Sequence, residues 1–490
     1  MTELSRRRRV LVLTICCMSL LIVSLDSSIV NIALPQISTS MHAPMAGLQW
    51  TVDAYLLVLA SLLMLSGSTA DRIGRRRTFQ IGLAVFTVGS LLCSIAPSLG
   101  WLIVFRMVQA VGGSMLNPVA MAIITNTFTD RAERARAIGM WAGVMGVSTA
   151  LGPVVGGALV DSLGWRAIFW INVPIGALAI VLCQIFVPES KAARARRFDP
   201  VGQLLVIVLL ASLIYATIEG REAGWTSPRI IALFAVSAVA LGVLIAYERR
   251  RHEPLVELRF FKSVPFSGAS VVAVCGMGAM SGFLFINPLY LQNVRGMSAL
   301  EAGLCTLPIA AMSLLISPRS GQMVAQRGPR LPLVIAGIAI TLAAVVQTSL
   351  DNGTALVWLL VVYAVFGLGF GMQNPPITNT AMSGMPTEQA GVAAGIISTS
   401  RQVGQALGVA VVGSVVTSNL HGSLHTGLAE ASHPGWWIIT GCGVAVFALG
   451  LLTTGRWARR TAEATAASFA PDAGKPDDKV AVAAAGPGQA

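Results

Sequence analysis

Runs of about twenty consecutive apolar residues recur from one end of this sequence to the other, and they decide what the chain can fold into. A helix of about 20 residues crosses about 30 Å of hydrocarbon with its backbone hydrogen bonds satisfied internally. Candidate spans fall at 10–33, 48–70, 78–97, 100–124, 135–160, 165–187, 199–218, 228–247, 265–292, 299–320, 330–349, 354–380, 389–418 and 436–456, fourteen in all. A length of 490 residues would ordinarily suggest several soluble domains, but only 11% of these residues are charged, against roughly 25% in soluble proteins. Most of the surface must therefore face lipid, and the fold class is an all-α integral membrane protein.

The net charge of +12 raises the question of a nucleic-acid partner. The distribution excludes it, because the arginines sit in short segments between apolar runs. One set of connections carries Arg6–Arg9, Arg72 with Arg75–Arg77, Arg131/Arg134/Arg136, Lys191 with Arg194/Arg196/Arg197, Arg249–Arg251, Arg327/Arg330 and Arg456/Arg459/Arg460. The alternate connections hold little beyond Arg166, Arg221, Arg229 and Arg295. By the positive-inside rule both termini are cytoplasmic, in a multi-pass protein of the cytoplasmic (inner) membrane. Arg6–Arg9 followed by an apolar run resembles a signal peptide, but the run passes twenty residues without a small-x-small cleavage site, so it reads as a retained first helix.

Enzyme chemistry finds no support. The seven cysteines all fall within apolar segments without metal-ligand spacing, and the five histidines are expected in loops. No Ser-His-Asp arrangement or phosphate-cradling Gly-Lys-Ser/Thr loop is present, so no catalytic residue, metal site or cofactor is expected.

The chain repeats itself. Gly67–Arg76 aligns with Gly321–Arg330, the Gln109…Asn117-Pro118 segment with Phe366…Asn374-Pro375, and Gly139, Gly152 and Gly157 with Gly395, Gly408 and Gly413, all at offsets of 254 to 257 residues. Parallel halves related in this way, rocking about a midplane site, characterise secondary transporters. We expect a cytoplasmic N-terminus (1–9), a first six-helix half (10–187), two inserted helices with flanking cytoplasmic loops (188–264), a second six-helix half (265–456) and a disordered cytoplasmic tail (457–490).

Several segments resemble the major facilitator superfamily, specifically its fourteen-helix drug:proton antiporter group. Leu25-Asp26-Ser-Ser-Ile-Val-Asn31-Ile-Ala-Leu-Pro35 resembles that group's first-helix signature, and Gly67–Arg77 the superfamily's loop between helices two and three. Arg106-Met-Val-Gln109 resembles the fourth-helix motif, Gly152-Pro153-Val-Val-Gly156-Gly157 the fifth-helix antiporter motif, and Trp165–Pro174 the start of the sixth helix. Ala110 and Ser148 stand where the fourth- and fifth-helix motifs usually have Gly. In the second half Ala325 and Gln326 replace the loop's Asp-Arg, and Val409 replaces the motif's Pro. The resemblance implies a proton gradient as energy source, with the coupling chemistry left to the first half. The implied activity is export of drugs, antibiotics or toxic metabolites, with uptake or dedicated metabolite export as the alternative.

Charge within hydrocarbon is disfavoured by roughly 2.5–3.5 kcal/mol on insertion scales, so the few interior charges are the first functional candidates. They are Asp26, Asp53, Arg106 and Arg401. Helix geometry places Asp26 about 24 Å beyond Val10, and Asp53 and Arg106 about 8–9 Å inside the outer ends of their spans, all at comparable depth. An adjacent arginine favours the ionised carboxylate while desolvation opposes it, so small movements of Arg106 would switch Asp26 between proton binding and release. A permanent ion pair holding two helices together is the alternative. Asp53 is a second coupling candidate, or else a helix cap or water-facing group.

By resemblance, Gly67, Asp71, Arg72, Gly74, Arg75 and Arg76 form a conformational latch between the halves; a purely topogenic basic loop is the plainer reading. Gly152, Pro153, Gly156 and Gly157 pack a fifth helix closely, which in the family marks exporters. Asn31, Gln109, Asn117, Gln373, Asn374 and Arg401 are candidates for the cavity wall, with Trp50, Tyr55, Met115, Met145, Phe283, Phe370 and Met372 as its apolar part; interfacial anchoring or helix packing is the alternative for several of these, and for Arg401 it is a structural role bonding backbone carbonyls of a neighbouring helix. The expected partners are a small-molecule substrate, protons and the lipid bilayer, with the protein a monomer. Some multidrug members of the group that this chain resembles carry an acid on the tenth helix for organic cations; the tenth span here has no carboxylate in the membrane, so the resemblance implies a neutral or anionic substrate rather than a cationic one.

Overall fold

The computed structural model describes residues 5–191, 199–251, 254–351, 353–383 and 390–469. These fold into helices joined by short turns. The first half contains α1 (Arg6–Met41), α2 (Met45–Ile73), α3 (Arg75–Ser94), α4 (Leu99–Thr127), α5 (Arg131–Leu163) and a broken sixth crossing, α6 (Ala167–Trp170) with α7 (Asn172–Phe186). An inserted hairpin, α8 (Pro200–Ala223) and α9 (Pro228–Glu248), follows. The second half runs through α10 (Val264–Leu289, extended by a π-turn at Tyr290–Val294), α11 (Ala299–Cys305) with α12 (Leu307–Arg327), α13 (Arg330–Gln347), α14 (Leu356–Met382), α15 (Ala390–Asn419) and α16 (Leu424–Leu452). A last helix, α17 (Arg456–Ala467), follows the final span.

Twelve helical segments among the described residues are long and apolar enough to cross a membrane. The remaining long helices, α5 and α15, occupy the places of expected spans five and thirteen. Within α5 the residues Leu151–Leu163 form a shorter apolar stretch, while Arg401, Gln402 and Gln405 interrupt α15. Both pack inside the bundle, α5 on α1 and α15 on α10 and α2. Twelve helices among the described residues thus meet the length and apolarity of a crossing, and a count of fourteen would add α5 and α15.

Local sequence sets the helix limits. Proline at the first helical position and the side-chain caps of Asp199 and Ser227 start α8 and α9. Ser298 and Glu301 form a reciprocal capping box at α11. Between α2 and α3 the chain turns at Gly74, whose φ of 120° lies in a region that side-chain-bearing residues avoid.

The halves touch chiefly at the end opposite the arginine clusters, called here the far end. Asp161, near the end of α5, accepts from the backbone N–H groups of Ala299 (3.0 Å) and Leu300 (2.8 Å), where α11 begins. A Cβ added at Gly157 would lie 2.4 Å from Ala299 O, and one at Gly303 2.3 Å from Pro153 O. Gln292 donates to Ile32 O at 2.9 Å. Toward the basic end the same helices leave open space at their glycines, since a Cβ at Gly67, Gly143, Gly321 or Gly395 would meet nothing within 4 Å. Ion pairs there stay within one half, as Arg9–Glu133 (3.1 Å) and Arg77–Glu189 (3.8 Å) do.

The inserted hairpin lies across the α2–α15 seam. Trp50 of α2 donates to Glu219 of α8 at 2.8 Å, Gln203 of α8 donates to Ser61 O of α2, and Ser414 of α15 donates to Thr217 O at 2.6 Å. Only 17% of the apolar window of α9 is buried, against 72% for α2, so α9 is the outer, lipid-facing member.

Two expectations need correction. The tail was expected to lose order after the last span, yet α17 packs on α10, with Ala458 and Ala462 buried and Thr461 accepting from Val264 N–H at 3.0 Å. Its polar face masked the short period of small residues that docks it; residues 470–490 lie outside the described residues. The histidines were expected in loops, but α16 begins at Leu424 and includes His425 and His433.

Replacing Gly303 by Leu should lower unfolding stability in detergent by about 1–3 kcal/mol through overpacking. Gly395→Ala, where space is open, should be neutral or stabilising. Equal effects in chemical denaturation would refute the far-end contact.

Candidate functional site

The first half is organised around two charges that could not be left alone in hydrocarbon. Arg106 and Gln109 lie three residues apart on α4 and so share one face. Arg106 Nη1 donates to Asp26 Oδ2 on α1 at 2.5 Å and to Gln109 Oε1 at 2.7 Å. Asp26 Oδ1 accepts from Gln109 Nε2 at 2.8 Å and from Asn172 Nδ2, at the start of α7, at 3.0 Å. Gln109 also donates to Ser90 Oγ of α3 at 2.7 Å. Arg106 Nε donates to Thr51 O of α2 at 3.2 Å, and its guanidinium stacks 4.1 Å from the Tyr55 ring centroid. Asp26 is 0% exposed and Arg106 1%.

Five helices therefore converge on one ion pair, and both oxygens of Asp26 are engaged. In a low-dielectric interior, charge-assisted bonds of this geometry stabilise the ionised forms together, whereas removing one partner strands the other. The expected proximity of Asp26 and Arg106 is present. Gln109, expected on a cavity wall, is instead wholly buried in this network. Close backbone approach makes that possible, since a Cβ at Gly89 would lie 2.6 Å from Gln109 Cα.

Asp53 is placed differently. It lies eight residues into α2, is 0% exposed, and neither carboxyl oxygen has a hydrogen-bond partner among the described residues. It neither caps the helix nor faces water. A buried polar group without a hydrogen-bond partner is disfavoured, which sets Asp53 apart from the fully engaged Asp26.

The glycine motif sits beside the ion pair. A Cβ at Gly152 would meet Ser28 Oγ at 1.9 Å and Leu25 O at 3.5 Å, and one at Gly156 would meet Ile29 at 2.4 Å, so α5 presses on the turn of α1 that carries Asp26. Gly157 and Pro153 face α11 of the second half. One short segment thus touches both the charged network and the far-end closure.

The latch candidates are engaged within their own half. Arg75 pairs with Asp71 at 3.4 Å, and Arg75 N–H donates to Ser190 O at 2.9 Å. Arg76 N–H donates to Glu189 at 3.1 Å, and a Cβ at Gly74 would meet that carboxylate at 2.6 Å. Gly67 faces open space. Arg72 lies at the last turn of α2.

The remaining cavity candidates differ in exposure. Asn117, Asn374 and Arg401 are half-buried, whereas Asn31 and Gln373 are buried. Arg401 Nη2 donates to Thr378 Oγ1 at 3.1 Å. Phe283, expected on the apolar wall, belongs to a buried aromatic cluster with Phe366 (centroids 4.4 Å apart), Tyr363 (5.0 Å) and Trp436 (5.6 Å). Tyr55 is likewise buried, beneath Arg106. The side chain of Met145 lies outside the described residues.

Sequence reasoning did not assign roles to Asn172, Ser90, Thr51 or Asp161. Asn172 and Ser90 carried a signal, a polar group within an apolar run. Asp161 lies near a helix end, where an acid has no need of explanation until its partner helix is seen.

A family model of the Major Facilitator Superfamily matches residues 16–409. The chain belongs to that superfamily. It is 37% identical over 425 residues to Multidrug resistance protein Stp of Mycobacterium tuberculosis, covering 87% of this chain and 79% of that protein. The Tetracenomycin C resistance and export protein of Streptomyces glaucescens is 37% identical over 418 residues, 84% and 77% of the two chains. The Methylenomycin A resistance protein of Streptomyces coelicolor is 32% identical over 399 residues, 81% and 83%. Among solved structures, a bacterial homologue of the human lysosomal transporter Spinster matches with a TM-score of 0.65 at 16% identity, covering 94% of this chain and 98% of that one, which shows the shared fold. This superfamily member is a transporter, not an enzyme.

The Asp26–Arg106 pair generates a quantitative expectation. Arg106→Gln alone should destabilise the protein by about 3–5 kcal/mol, because it leaves a buried carboxylate unpaired. The same change in an Asp26→Asn background should be much milder. Effects that add within about 0.5 kcal/mol in a double-mutant cycle would rule out the coupling.

Proposed function

We propose that this chain is a proton-driven exporter of small organic molecules across the cytoplasmic membrane. The observation that carries the reading is the pairing, in one half, of an engaged carboxylate with an unengaged one. Asp26 is held by Arg106, Gln109 and Asn172, while Asp53 is buried without a partner. Resistance and export, named for the relatives above, are carried over here as part of the proposal.

In this reading the basic end is cytoplasmic, both termini included, and α5 and α15 complete fourteen crossings in a monomer that needs no cofactor. The conformation described is closed at the far, external end and open to the cytoplasm. Substrate enters between the parted basic halves of α2, α5, α12 and α15. A proton on Asp53 stabilises the buried carboxyl in this state. Rocking the halves separates Asp161 from α11 and exposes the seam to the outside, and Asp71 with its arginines then latches the opposite end. Movement of Arg106 relative to Asp26 supplies the second proton-linked step. The 10–187 and 265–456 halves move as units, with the 188–264 hairpin spanning one seam.

Reconstitution into vesicles with an imposed pH gradient tests both coupling and direction. Wild-type protein should move substrate against its gradient, and a protonophore should abolish this. Asp53→Asn should retain unfolding stability, having no partner to lose, yet lose gradient-driven transport; Asp26→Asn should lose both stability and coupling. Full coupling in the two variants, or accumulation in the uptake direction, would defeat the reading.

A further inference from the structure

Four charges lie deep in the spans, and the fold pairs only two of them. With Asp26 assigned to Arg106, Arg401 has no ion pair among the described residues. Among its described residues the second half offers it no carboxylate. Glu301 is committed to the capping box of α11, Asp351 lies between α13 and α14, and Glu430 is exposed at the far end of α16. Glu388 precedes α15 and lies outside the described residues; about 16 Å of helix separates the start of α15 from Arg401.

Arg401 as a residue is half-buried, with its Nε enclosed. Nη2 is fixed by Thr378, which is itself exposed, and Nε has no partner. A cation turned toward lipid at this depth would be strongly disfavoured, so its open side faces water. Along α14, Phe370, Asn374 and Thr378 recur at intervals of four and therefore share one face about 12 Å long, running from an aromatic ring to the arginine's anchor. Asn374 and Phe370 are both half-buried. An apolar contact at one end, an amide in the middle and a fixed guanidinium at the other match a flat aromatic molecule with one acidic group. Arginine suits that role because its planar fork binds carboxylates and related anions through paired N–H donors.

We propose that Arg401, oriented by Thr378, is the anion-recognition point of the transport cavity, and that the exported substrates are aromatic organic anions. The inference rests on the exporter reading and narrows it to a substrate class.

Three probes share one fluorophore and differ in charge: pyrenebutyrate, pyrenebutanol and a pyrenylmethyl-trimethylammonium salt. Binding to purified full-length protein is read by energy transfer from tryptophan, without any gradient. Wild type should prefer the anion, and Arg401→Gln should weaken that binding about ten- to hundredfold while leaving the alcohol unchanged. Arg401→Lys should recover part of it. Preference of the wild type for the cation or the alcohol would overturn the proposal even if the Gln variant failed to fold, as would equal anion binding by wild type and Arg401→Gln. Where the charge preference fails, protonophore-sensitive export of any of the three probes from loaded vesicles still upholds the exporter reading. Export of none, with anion-selective binding intact, removes the exporter reading instead.

Discussion

Everything in the first half is arranged around the contact between Arg106 and Asp26. Neither group is tolerable alone in hydrocarbon, and their attraction is strong only because water is excluded. The supporting bonds follow from that requirement. Gln109 bridges both members, Asn172 and Ser90 fix Gln109 and the carboxylate, and Thr51 takes the remaining guanidinium edge. The result ties α1, α2, α3, α4 and α7 into one body. In the proposed reading, a half built in this way would move as a unit.

The glycines extend the same logic to the boundary between halves. Gly152 and Gly156 let α5 lie directly on the turn of α1 that carries Asp26, and Gly157 lets the same helix meet α11. The backbone of α5 is therefore sandwiched between the charged network and the far-end closure. A shift of Asp26 relative to Arg106 would displace α1 against a helix with no side-chain slack on either face. Close packing converts such small displacements into a change of contact rather than a gradual deformation.

Much of this was legible before any coordinates. The apolar runs, the alternating arginines and the 254–257-residue repeat prescribe two helical halves with an insertion, and depth along the helices places Asp26 and Arg106 at one level. What escaped was chiefly what depends on helix rotation. Gln109 is polar and within a span, which fits a cavity wall or a buried network equally well until the face it presents is known. Phe283 posed the same ambiguity and went to the core. Asp161 and α17 were missed for a different reason: their contacts join residues about 138 and 197 positions apart, and no local pattern encodes them.

The distribution of uncompensated charge then separates the halves by task. Deep in the spans of the first half Asp26 is paired with Arg106, while the carboxyl of Asp53 has no hydrogen-bond partner among the described residues. In the second half Ala325 and Gln326 stand in place of Asp71 and Arg72, and deep in its spans Arg401 has no ion pair among the described residues; a guanidinium does not lose its charge by giving up a proton under ordinary conditions. An acid can be relieved by a proton, whereas an arginine can be relieved only by an anion. In the proposed reading, one half thereby carries a group suited to the driving ion and the other a group suited to a cargo of opposite charge. That asymmetry follows from the chemistry of the two side chains, and the Gly-rich seam between them supplies the mechanical link.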